Sequence, residues 1–367
     1  MSKFWHSKLR LIIIIKKSFR KIIAIIILFF KYLEVIQLKE NFRALIIKED
    51  ENGNITKSVE TIHENYIPRN EVTVQVLYSS LNYKDALSSS GNKGITKKYP
   101  HIPGIDTAGI VVESKSDRFK VGDEVLVTGY DLGMNTFGGF CEYISVPSAW
   151  VVARPEHLTL KEAMAFGTSG FTAAVGILEI LNAGITPDMG KVLVTGATGA
   201  VGSSAVSILS KLGFQVIASS GKESEFEHLK ALGASEVINR NTLVDTPEKG
   251  LLSKKWIAAF DTVGGSALSY ILKATADGGI VTNCGMIGST KLETSIMPFI
   301  IRGVRLVGIA AAETPMPMRL KVWERLSTDF KVDLSDKFYE EVSLEELPSR
   351  IDSMLAGQLK KKVLVKM

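Results

Sequence analysis

The pattern of hydrophobic and polar residues changes near residue 160 of the chain. Before this point, short apolar segments such as 42–47 and the period-two stretch 72–76 are separated by glycines, which predicts strands of a small irregular β-barrel. After it, the strand-like segment 191–195 leads through a glycine turn into apolar residues spaced three and four apart between Val201 and Leu212, which indicates a helix. Strands and helices continue to alternate after that helix. The pattern therefore predicts an α/β fold in which a doubly wound parallel sheet follows a β-rich domain.

The first 42 residues form a hydrophobic and basic extension that the sequence allows to be interpreted in three ways. Its apolar runs, 11–15 and 22–30, are both shorter than the roughly 20 residues that a membrane-spanning helix needs. No small-residue cleavage site follows the second run, as a signal peptide would require. Basic residues lie between the runs, so a weak amphipathic anchor at a membrane surface is one interpretation. We favour an extension that the fold does not need, and insertion into a membrane is the least favoured interpretation.

The charge of the chain is concentrated in this extension. Residues 1–43 hold ten Lys or Arg and two Glu, whereas the rest of the chain holds 34 Lys or Arg and 37 Asp or Glu. A body so close to neutral argues against nucleic acid as a partner, because nucleic-acid binders carry a concentrated basic surface. The two cysteines, Cys141 and Cys284, are too few for a disulfide framework or a four-cysteine zinc site. These features predict a cytoplasmic globular protein.

A glycine turn between the first predicted strand of the parallel sheet and its helix carries the first candidate chemistry. The segment reads TGATGAVG from Thr195 to Gly202. Glycines at such a turn let the backbone approach a pyrophosphate, whose charge is stabilised at the helix N-terminus. The usual spacing is G-x-G-x-x-G, and here Ala197 occupies the place of the first glycine. We predict dinucleotide binding, and a tight turn without a ligand is the alternative.

The end of the next predicted strand indicates which dinucleotide would bind. An NAD site places Asp or Glu there, on the ribose 2′-hydroxyl. This chain instead has Ser219, Ser220, Gly221 and Lys222. Two hydroxyls, a free backbone N–H and a cation suit a 2′-phosphate, which an acid would repel. The sequence therefore predicts NADPH as the cofactor, and a solvated lysine at a turn is the alternative for Lys222.

From about residue 43 to its end, the chain resembles the medium-chain dehydrogenase/reductase superfamily, among the zinc-independent quinone oxidoreductases of the acrylyl-CoA reductase (AcuI, YhdH/YhfP) type. The resemblance rests on YSSLNYKDA (78–86), IPGID (102–106), Gly138-Gly139, GTSGFTA (167–173), the nucleotide turn, DTVG (261–264), MPFI (297–300) and LVK (364–366). It implies a GroES-like catalytic domain, residues 43–160 and 301–367, around a Rossmann domain, residues 161–300. It also implies an active site in the cleft between the two domains and a homodimer.

The resemblance also implies that the chain works without zinc. Zinc-dependent members of the superfamily use a Gly-His-Glu segment and an early cysteine. Here Gly104-Ile105-Asp106 replaces that segment, and no cysteine precedes Cys141. We therefore predict no metal ligands. Without a Lewis acid to polarise an alcohol, hydride addition to an activated C=C bond fits better than alcohol dehydrogenation.

Residue roles follow from the resemblance, position by position. Asn82 and Tyr83 are the catalytic candidates, facing the nicotinamide. Tyr83 would hydrogen-bond either the cofactor or the substrate carbonyl, where a donor stabilises a developing enolate. Ser220, Gly221 and Lys222 would bind the 2′-phosphate, whereas Met286 and Ile300 would line the nicotinamide end. The predicted cofactor contacts are Tyr83, Thr172, Gly196, Gly199, Val201, Gly202, Ser203, Ser204, Ser220, Gly221, Lys222, Arg240, Met286, Ile300, Ala311 and Lys362.

Several positions depart from the family pattern. Lys222 and Lys362 stand where arginine is common, and an ammonium is a point charge rather than a planar fork. Ala310-Ala311 replaces a usual Asp-Ser, and Thr136 replaces a frequent histidine. The alanines and Thr136 bear on the cleft, so they put the exact substrate in doubt more than the cofactor.

Three functions are compatible with these observations. The leading hypothesis is an NADPH-dependent reductase of an activated C=C bond, converting acrylyl-CoA to propanoyl-CoA or reducing a related small enoyl or enone substrate. The second is an NADPH:quinone oxidoreductase that uses the same cleft. The third is a catalytically idle NADPH-binding protein held at a membrane surface by residues 1–42.

Overall fold

A computed structural model describes residues 38–244, 248–334, 338–359 and 361–367 of the chain. The hydrophobic and basic extension therefore lies almost entirely outside the described residues, and so does its predicted membrane contact. The strands are β1 (Asn41–Glu49), β2 (Ile55–His63), β3 (Val72–Ser80), β4 (Asp106–Ser114), β5 (Glu124–Thr128), β6 (Tyr143–Val146), β7 (Val151–Ala153), β8 (Val192–Val194), β9 (Val216–Ser220), β10 (Glu236–Asn239), β11 (Trp256–Asp261), β12 (Thr275–Asn283), β13 (Arg305–Gly308), β14 (Tyr339–Ser343) and β15 (Lys362–Lys366). The α-helices are α1 (Tyr83–Ser89), α2 (Leu160–Asn182), α3 (Ala200–Lys211), α4 (Phe226–Ala231), α5 (Gly265–Ala274), α6 (Met297–Arg302), α7 (Met316–Ser327) and α8 (Leu347–Leu355).

Six parallel strands form the sheet that the alternating second half of the chain predicts. Their spatial order is β10-β9-β8-β11-β12-β13. This is the doubly wound order in which the direction of winding reverses between the first and fourth strands of the sheet. Here that switch point lies between β8 and β11. Ligands of such sheets bind at the switch point, beyond the carboxyl ends of the strands.

A second sheet contains seven strands and is assembled from both ends of the chain. Its path is β14-β15-β3-β4-β5-β7, with β6 paired to β3. The C-terminal strand β15 thus returns to the domain that contains β3 and β4. A separate two-stranded sheet, β1 with β2, packs against this domain and bridges to it through Cys141 and His101.

The long helix α2 packs against strands of both large sheets and is broken near its start. Gly167 has φ +49° and ψ −157°, so the helical hydrogen bonding is interrupted there. Farther along α2, a Cβ on Gly176 would lie 2.4 Å from the Phe260 ring. The absence of that carbon lets the helix approach β11 closely. In length and hydropathy α2 could cross a membrane, but 78% of its most apolar window is buried inside the protein, as in a core helix.

The structure confirms the predicted fold class, a GroES-like β domain combined with a Rossmann-type parallel sheet. It differs from the predicted boundary at residue 300, because β13 pairs in parallel with β12 through Val281–Leu306 and Thr282–Val307. Strand β13 is therefore the sixth strand of the parallel sheet rather than part of the returning β domain. Its four residues give too short a pattern for that assignment from sequence.

Candidate active site

A cavity of about 1390 Å³ opens at the carboxyl ends of β8, β9 and β11. It therefore lies at the switch point of the parallel sheet. The predicted cofactor residues Gly196, Gly199, Ser220, Gly221, Lys222 and Arg240 all line it. Thr195, Thr262, Ser266 and Ser289, which the sequence did not single out, add hydroxyls to its wall.

The glycine turn brings backbone rather than side chains to the cavity. Gly196 has φ +57°, and a Cβ there would lie 2.1 Å from Thr262 Oγ1. A Cβ on Gly202 would lie 2.3 Å from the Gly196 carbonyl oxygen, so only glycine lets α3 start this close to β8. Gly199 caps α3 without a side-chain hydrogen bond, which leaves the N–H groups of the first turn available. Such a helix start is an anion-binding geometry.

The predicted 2′-phosphate residues form one corner of this cavity. The Ser220 hydroxyl accepts a hydrogen bond of 3.0 Å from the Lys222 backbone N–H. Arg240 packs across Gly221, where a Cβ would lie 2.5 Å from the guanidinium Nε. The nearby acid Glu223 is not part of the cavity lining, and its carboxylate accepts a hydrogen bond from Asn239 Nδ2 at 3.0 Å. The corner therefore presents two cations and hydroxyls, which suit a phosphate.

The Lys222 ammonium also reaches across to the returning part of the β domain. Its Nζ lies 3.2 Å from the Gly357 carbonyl oxygen and 3.5 Å from that of Leu359. These carbonyls follow the C-terminus of α8, where a cation is favourable. The ammonium is thus held over the cavity edge by neutral oxygens.

A buried ionic cluster lies between α1, β4, α2 and β15. The Asp106 carboxylate accepts hydrogen bonds from Ser80 Oγ (2.6 Å), Asn82 Nδ2 (2.7 Å) and both the N–H and the hydroxyl of Thr168 (2.8 and 2.6 Å). Asp106 thereby caps the second half of α2, directly after the break at Gly167. It also fixes the side chain of the catalytic candidate Asn82.

Asp85 is the second acid of this cluster and holds the start of α1. Its carboxylate accepts from the backbone N–H groups of Asn82 (2.8 Å), Ile105 (2.9 Å) and Gly104 (3.2 Å). Complete burial, reinforced by the nearby Asp106 charge, raises the pKa of Asp85 to about 7. Asp85 therefore joins the loop before β4 to the turn that presents Asn82 and Tyr83.

Lys362 completes the cluster. It lies outside the lining of the cavity, and its predicted contact with the cofactor stays a prediction. Its ammonium is buried and donates to the Phe166 carbonyl oxygen (2.5 Å) and to Ser169 Oγ (2.8 Å). Burial lowers the pKa of Lys362 to about 8. The Phe166 carbonyl oxygen also accepts from Ser169 Oγ at 3.1 Å, so the ammonium joins a hydrogen-bond network beside the broken turn of α2.

The remaining predicted contacts lie outside the lining of the cavity. Tyr83, Met286 and Ile300 are 51%, 68% and 70% exposed. The Thr172 hydroxyl donates within α2, to the Thr168 carbonyl oxygen. Val201, Ser203 and Ser204 follow Gly199 in the first turns of α3, where both serine hydroxyls bond to the Ala200 carbonyl oxygen, and Ala311 is buried. Their contacts with the nicotinamide and pyrophosphate stay predictions.

Comparisons with known proteins identify the family. The profile named "Alcohol dehydrogenase GroES-like domain" matches residues 68–156, and that named "Zinc-binding dehydrogenase" matches residues 200–328. Among the described residues, no group of three or more His, Cys, Asp or Glu side chains is placed to hold a metal ion. The donor set therefore does not fit the zinc centre that the second name implies.

Two curated proteins match nearly the whole of their own length. "Putative quinone oxidoreductase YhfP" of Bacillus subtilis is 43% identical over 89% of this chain and 99% of its own. "Probable acrylyl-CoA reductase AcuI" of Escherichia coli is 42% identical over 88% of this chain and 98% of its own. These matches extend across both sheets.

Solved structures agree with this similarity. YhfP, crystallised with NAD, superposes with a TM-score of 0.87 over 90% of this chain and 100% of its own. The yhdH oxidoreductase of Salmonella enterica, crystallised with NADP, is 41% identical and superposes with a TM-score of 0.86 over 89% of this chain and 99% of its own. The family profiles and these full-length matches, together with the switch-point cavity, show that the chain belongs to the medium-chain dehydrogenase/reductase superfamily, beside AcuI and YhfP.

Proposed function

We propose that this protein is an NADPH-dependent reductase of an activated C=C bond and that acrylyl-CoA, reduced to propanoyl-CoA, is its substrate. The observation that supports this proposal most directly is the switch-point cavity, in which a glycine turn, a helix start and the Ser220–Lys222 corner converge. The full-length similarity to a probable acrylyl-CoA reductase supports the choice of substrate.

The residues of the cavity suit the cofactor. The absent Cβ atoms at Gly196 and Gly202 let the turn lie against Thr262 and let α3 begin close to β8, so that the first N–H groups of α3 would face a pyrophosphate. Lys222 and Arg240 would hold the 2′-phosphate. NADPH supplies the hydride when it is bound. The chain's own contribution is to orient both ends of the cofactor and to bind the substrate carbonyl.

Tyr83 is proposed to donate to that carbonyl oxygen, where negative charge develops as the β-carbon accepts a hydride. Asp85 and Asp106 hold the turn that presents it, through Asn82. A hydroxyl donor at such an oxygen contributes roughly 2–4 kcal/mol to catalysis. Tyr83→Phe should therefore lower kcat by about 30- to 1000-fold while leaving the Kd of NADPH within twofold. A raised Kd with unchanged kcat would assign Tyr83 to cofactor binding instead.

Hydride transfer to carbon is tested by isotope labelling. With NADPH deuterated at C4 of the nicotinamide, on the face that the enzyme uses, we expect one deuterium at the β-carbon of propanoyl-CoA, detected by mass spectrometry. The face is identified by running both C4 epimers. Formation of propanoyl-CoA without label from either epimer, or no product despite NADPH binding, would contradict the proposed reaction.

Quinone reduction is the second candidate, because YhfP bears the name of a putative quinone oxidoreductase at comparable identity. It would use the same cavity for the cofactor. A quinone carries no CoA group, so the two activities make different demands on the surface around the cleft. Turnover of the two substrates, measured side by side, therefore discriminates between the two proposed functions.

We further propose a cytoplasmic homodimer. An apolar surface outside the predicted cofactor contacts, defined here as Ile296, Met297 and Ile301, is 36–66% exposed beside the edge strand β13. An exposed patch of this kind marks an interaction site. Ile296→Asp combined with Ile301→Asp should convert a dimer to a monomer in light scattering coupled to size exclusion. A monomeric parent protein would contradict the homodimer.

A further inference from the structure

The carboxylate of Asp261 is fully buried at the switch point and joins three strands of the parallel sheet. Its Oδ1 accepts from Thr195 Oγ1 at 2.5 Å and from the Val263 N–H at 3.2 Å. Its Oδ2 accepts from the Gly264 N–H at 2.8 Å and from Asn283 Nδ2 at 2.7 Å. All four of these donors are neutral. The proposed mechanism gives this buried acid no role, so its position calls for one.

One arm of this network leads to the glycine turn. Thr195 immediately precedes Gly196, and its hydroxyl accepts from the Thr262 N–H at 3.0 Å while it donates to Asp261. The Thr262 hydroxyl in turn donates to the Thr195 carbonyl oxygen at 2.9 Å. Because Thr262 Oγ1 occupies the space beside Gly196, these bonds set where the turn lies.

The other arm leads to the opposite side of the cavity. Asn283 ends β12, and its Nδ2 donates both to Asp261 and to the Gly285 carbonyl oxygen at 3.0 Å. The Gly288 N–H donates to the Val263 carbonyl oxygen at 2.8 Å, which holds the following loop against the same turn. That loop carries Met286, the predicted neighbour of the nicotinamide.

The Asp261 carboxylate is hydrogen-bonded to both arms, through Thr195 and through Asn283. The arms also pack on each other where Gly285 lies against the Thr262 backbone, since a Cβ there would lie 1.8 Å from the Thr262 carbonyl oxygen. Thr195 follows β8 and Asn283 ends β12, and β11 lies between these strands in the sheet. We infer that Asp261 is a positioning residue that couples the pyrophosphate turn to the nicotinamide-side loop, so that both ends of NADPH are aligned together. This inference deepens the proposed function and rests on its placement of the cofactor.

A double-mutant cycle tests the coupling. Thr195→Val removes the hydroxyl at nearly constant volume, and Asn283→Ala removes the amide. The readouts are the Kd of NADPH from its fluorescence and the Kd of 2′,5′-ADP, a fragment without nicotinamide, from calorimetry. Asn283→Ala should raise the Kd of NADPH about tenfold and leave that of 2′,5′-ADP within twofold. Thr195→Val should raise the Kd of NADPH and the Kd of 2′,5′-ADP.

The coupling itself appears when the effects of the two substitutions on the Kd of NADPH are not additive in free energy. The double variant should bind NADPH at least fivefold more tightly than the product of the two single effects predicts, since either change already breaks the link. In an Asp261→Asn background, Asn283→Ala should change the Kd of NADPH less than twofold. Multiplicative single effects would overturn the inference, as would an equal rise in both Kd values for Asn283→Ala.

Two controls separate this inference from fold damage and from failure of the proposed function. Thr282→Val removes a buried hydroxyl of the same strand, 3.4 Å from the Ala259 carbonyl oxygen and away from Asp261, and should leave both Kd values unchanged. The cycle is measured without substrate. A parent protein that binds NADPH but reduces neither acrylyl-CoA nor quinone would therefore reject the proposed function and still give the coupling, whereas one that does not bind NADPH would reject both.

Discussion

Lys222 is the residue on which the predicted choice between the two nicotinamide cofactors depends most. It lies at the end of β9, where an NAD site has an acid, and its ammonium is held over the cavity edge by the carbonyl oxygens of Gly357 and Leu359. Neutral oxygens are weaker partners for an ammonium than a phosphate dianion. We therefore expect the 2′-phosphate to take over the ammonium when NADPH binds.

Reversal of this charge should reverse the preference. Lys222→Glu should raise the Kd of NADPH about ten- to a hundredfold, because a charge-assisted hydrogen bond contributes roughly 1.5–3 kcal/mol. The Kd of NADH should change much less. Fluorescence titration measures both, with Lys230→Glu, an exposed lysine of α4 paired with Glu227, as the matched control. An unchanged NADPH affinity would show that Lys222 does not contact the phosphate. The crystal structure of YhfP with NAD makes this comparison informative.

Asp85 is predicted to make the stability of the protein depend on pH. Burial and the nearby Asp106 charge raise its pKa to about 7, from 3.8 in an exposed side chain. Between these values the folded state binds a proton that the unfolded state has lost. The free energy of unfolding contributed by Asp85 therefore falls as the pH rises from about 4 to about 7.

The direction of this pH dependence can be measured against a variant that has no titratable group at position 85. The difference in free energy of unfolding between Asp85→Asn and the parent protein should shift in favour of the variant across this pH range. Urea denaturation at pH 4.5, 6 and 7.5 gives the difference directly. A difference that stays constant, or shifts in favour of the parent protein, would show that Asp85 is ionised throughout and that its three backbone donors outweigh burial.

At the scale of elements, the break in α2 at Gly167 is linked to the ionic cluster, because the broken turn lies directly against two of its charged groups. A Cβ on Gly167 would lie 2.5 Å from Asp106 Oδ2 and 2.6 Å from Lys362 Nζ. Only a glycine lets the broken turn of the helix lie against both charged groups. The positive φ and the close approach therefore require the same residue.

Substitution of two glycines, one inside α2 and one just after it, separates the cost of a positive φ from the cost of the close approach to the charged groups. Gly167→Ala should lower the free energy of unfolding by about 3 kcal/mol or more, because backbone strain adds to overpacking against buried charges. Gly184 follows the end of α2 with φ +81° and has no atom within 4 Å of its Cβ position. Gly184→Ala should lower it by only about 1–2 kcal/mol, the cost of left-handed backbone. Equal losses in thermal or urea denaturation would contradict the role given to the cluster.

The same elements show what the sequence could and could not predict. The sequence predicts strand β8 and helix α3 within about two residues, because their apolar pattern and their glycines are local signals. The ionic cluster was not predicted. Asp85, Asp106 and Lys362 come from distant parts of the chain, and only the pairing of β15 with β3 and the packing of α2 bring them together.

The residues of the candidate site likewise fall into those that the sequence predicts and those that it does not. The cavity residues Gly196, Ser220 and Lys222 follow from the order of strand, turn and helix alone. Asp261 was quoted only as part of a family segment, although an acid at the end of a wholly apolar strand is a signal that could have singled it out. Its four donors come from the residue after β8, the end of β12 and, twice, the turn between β11 and α5. Its role therefore depends on the order of the strands in the sheet.

At the scale of the whole molecule, the fold places two different tasks on two sheets. The parallel sheet holds predicted cofactor residues at its switch point, and the β domain contributes the catalytic candidates Asn82 and Tyr83 from a turn that the ionic cluster fixes. Lys222 and α2 connect the two parts directly. The Ala310-Ala311 and Thr136 departures are predicted to affect the substrate side, so substrate choice is the property that most needs measurement.

The most direct test is the oxidation of NADPH at 340 nm with acryloyl-CoA and with a soluble quinone, measured side by side on the full chain. We expect kcat/KM for acryloyl-CoA to exceed that for the quinone by at least a hundredfold. Preference for the quinone would contradict the account and favour the second candidate. NADPH binding without turnover of either substrate would contradict the proposed reductase and leave the cavity as a cofactor site alone.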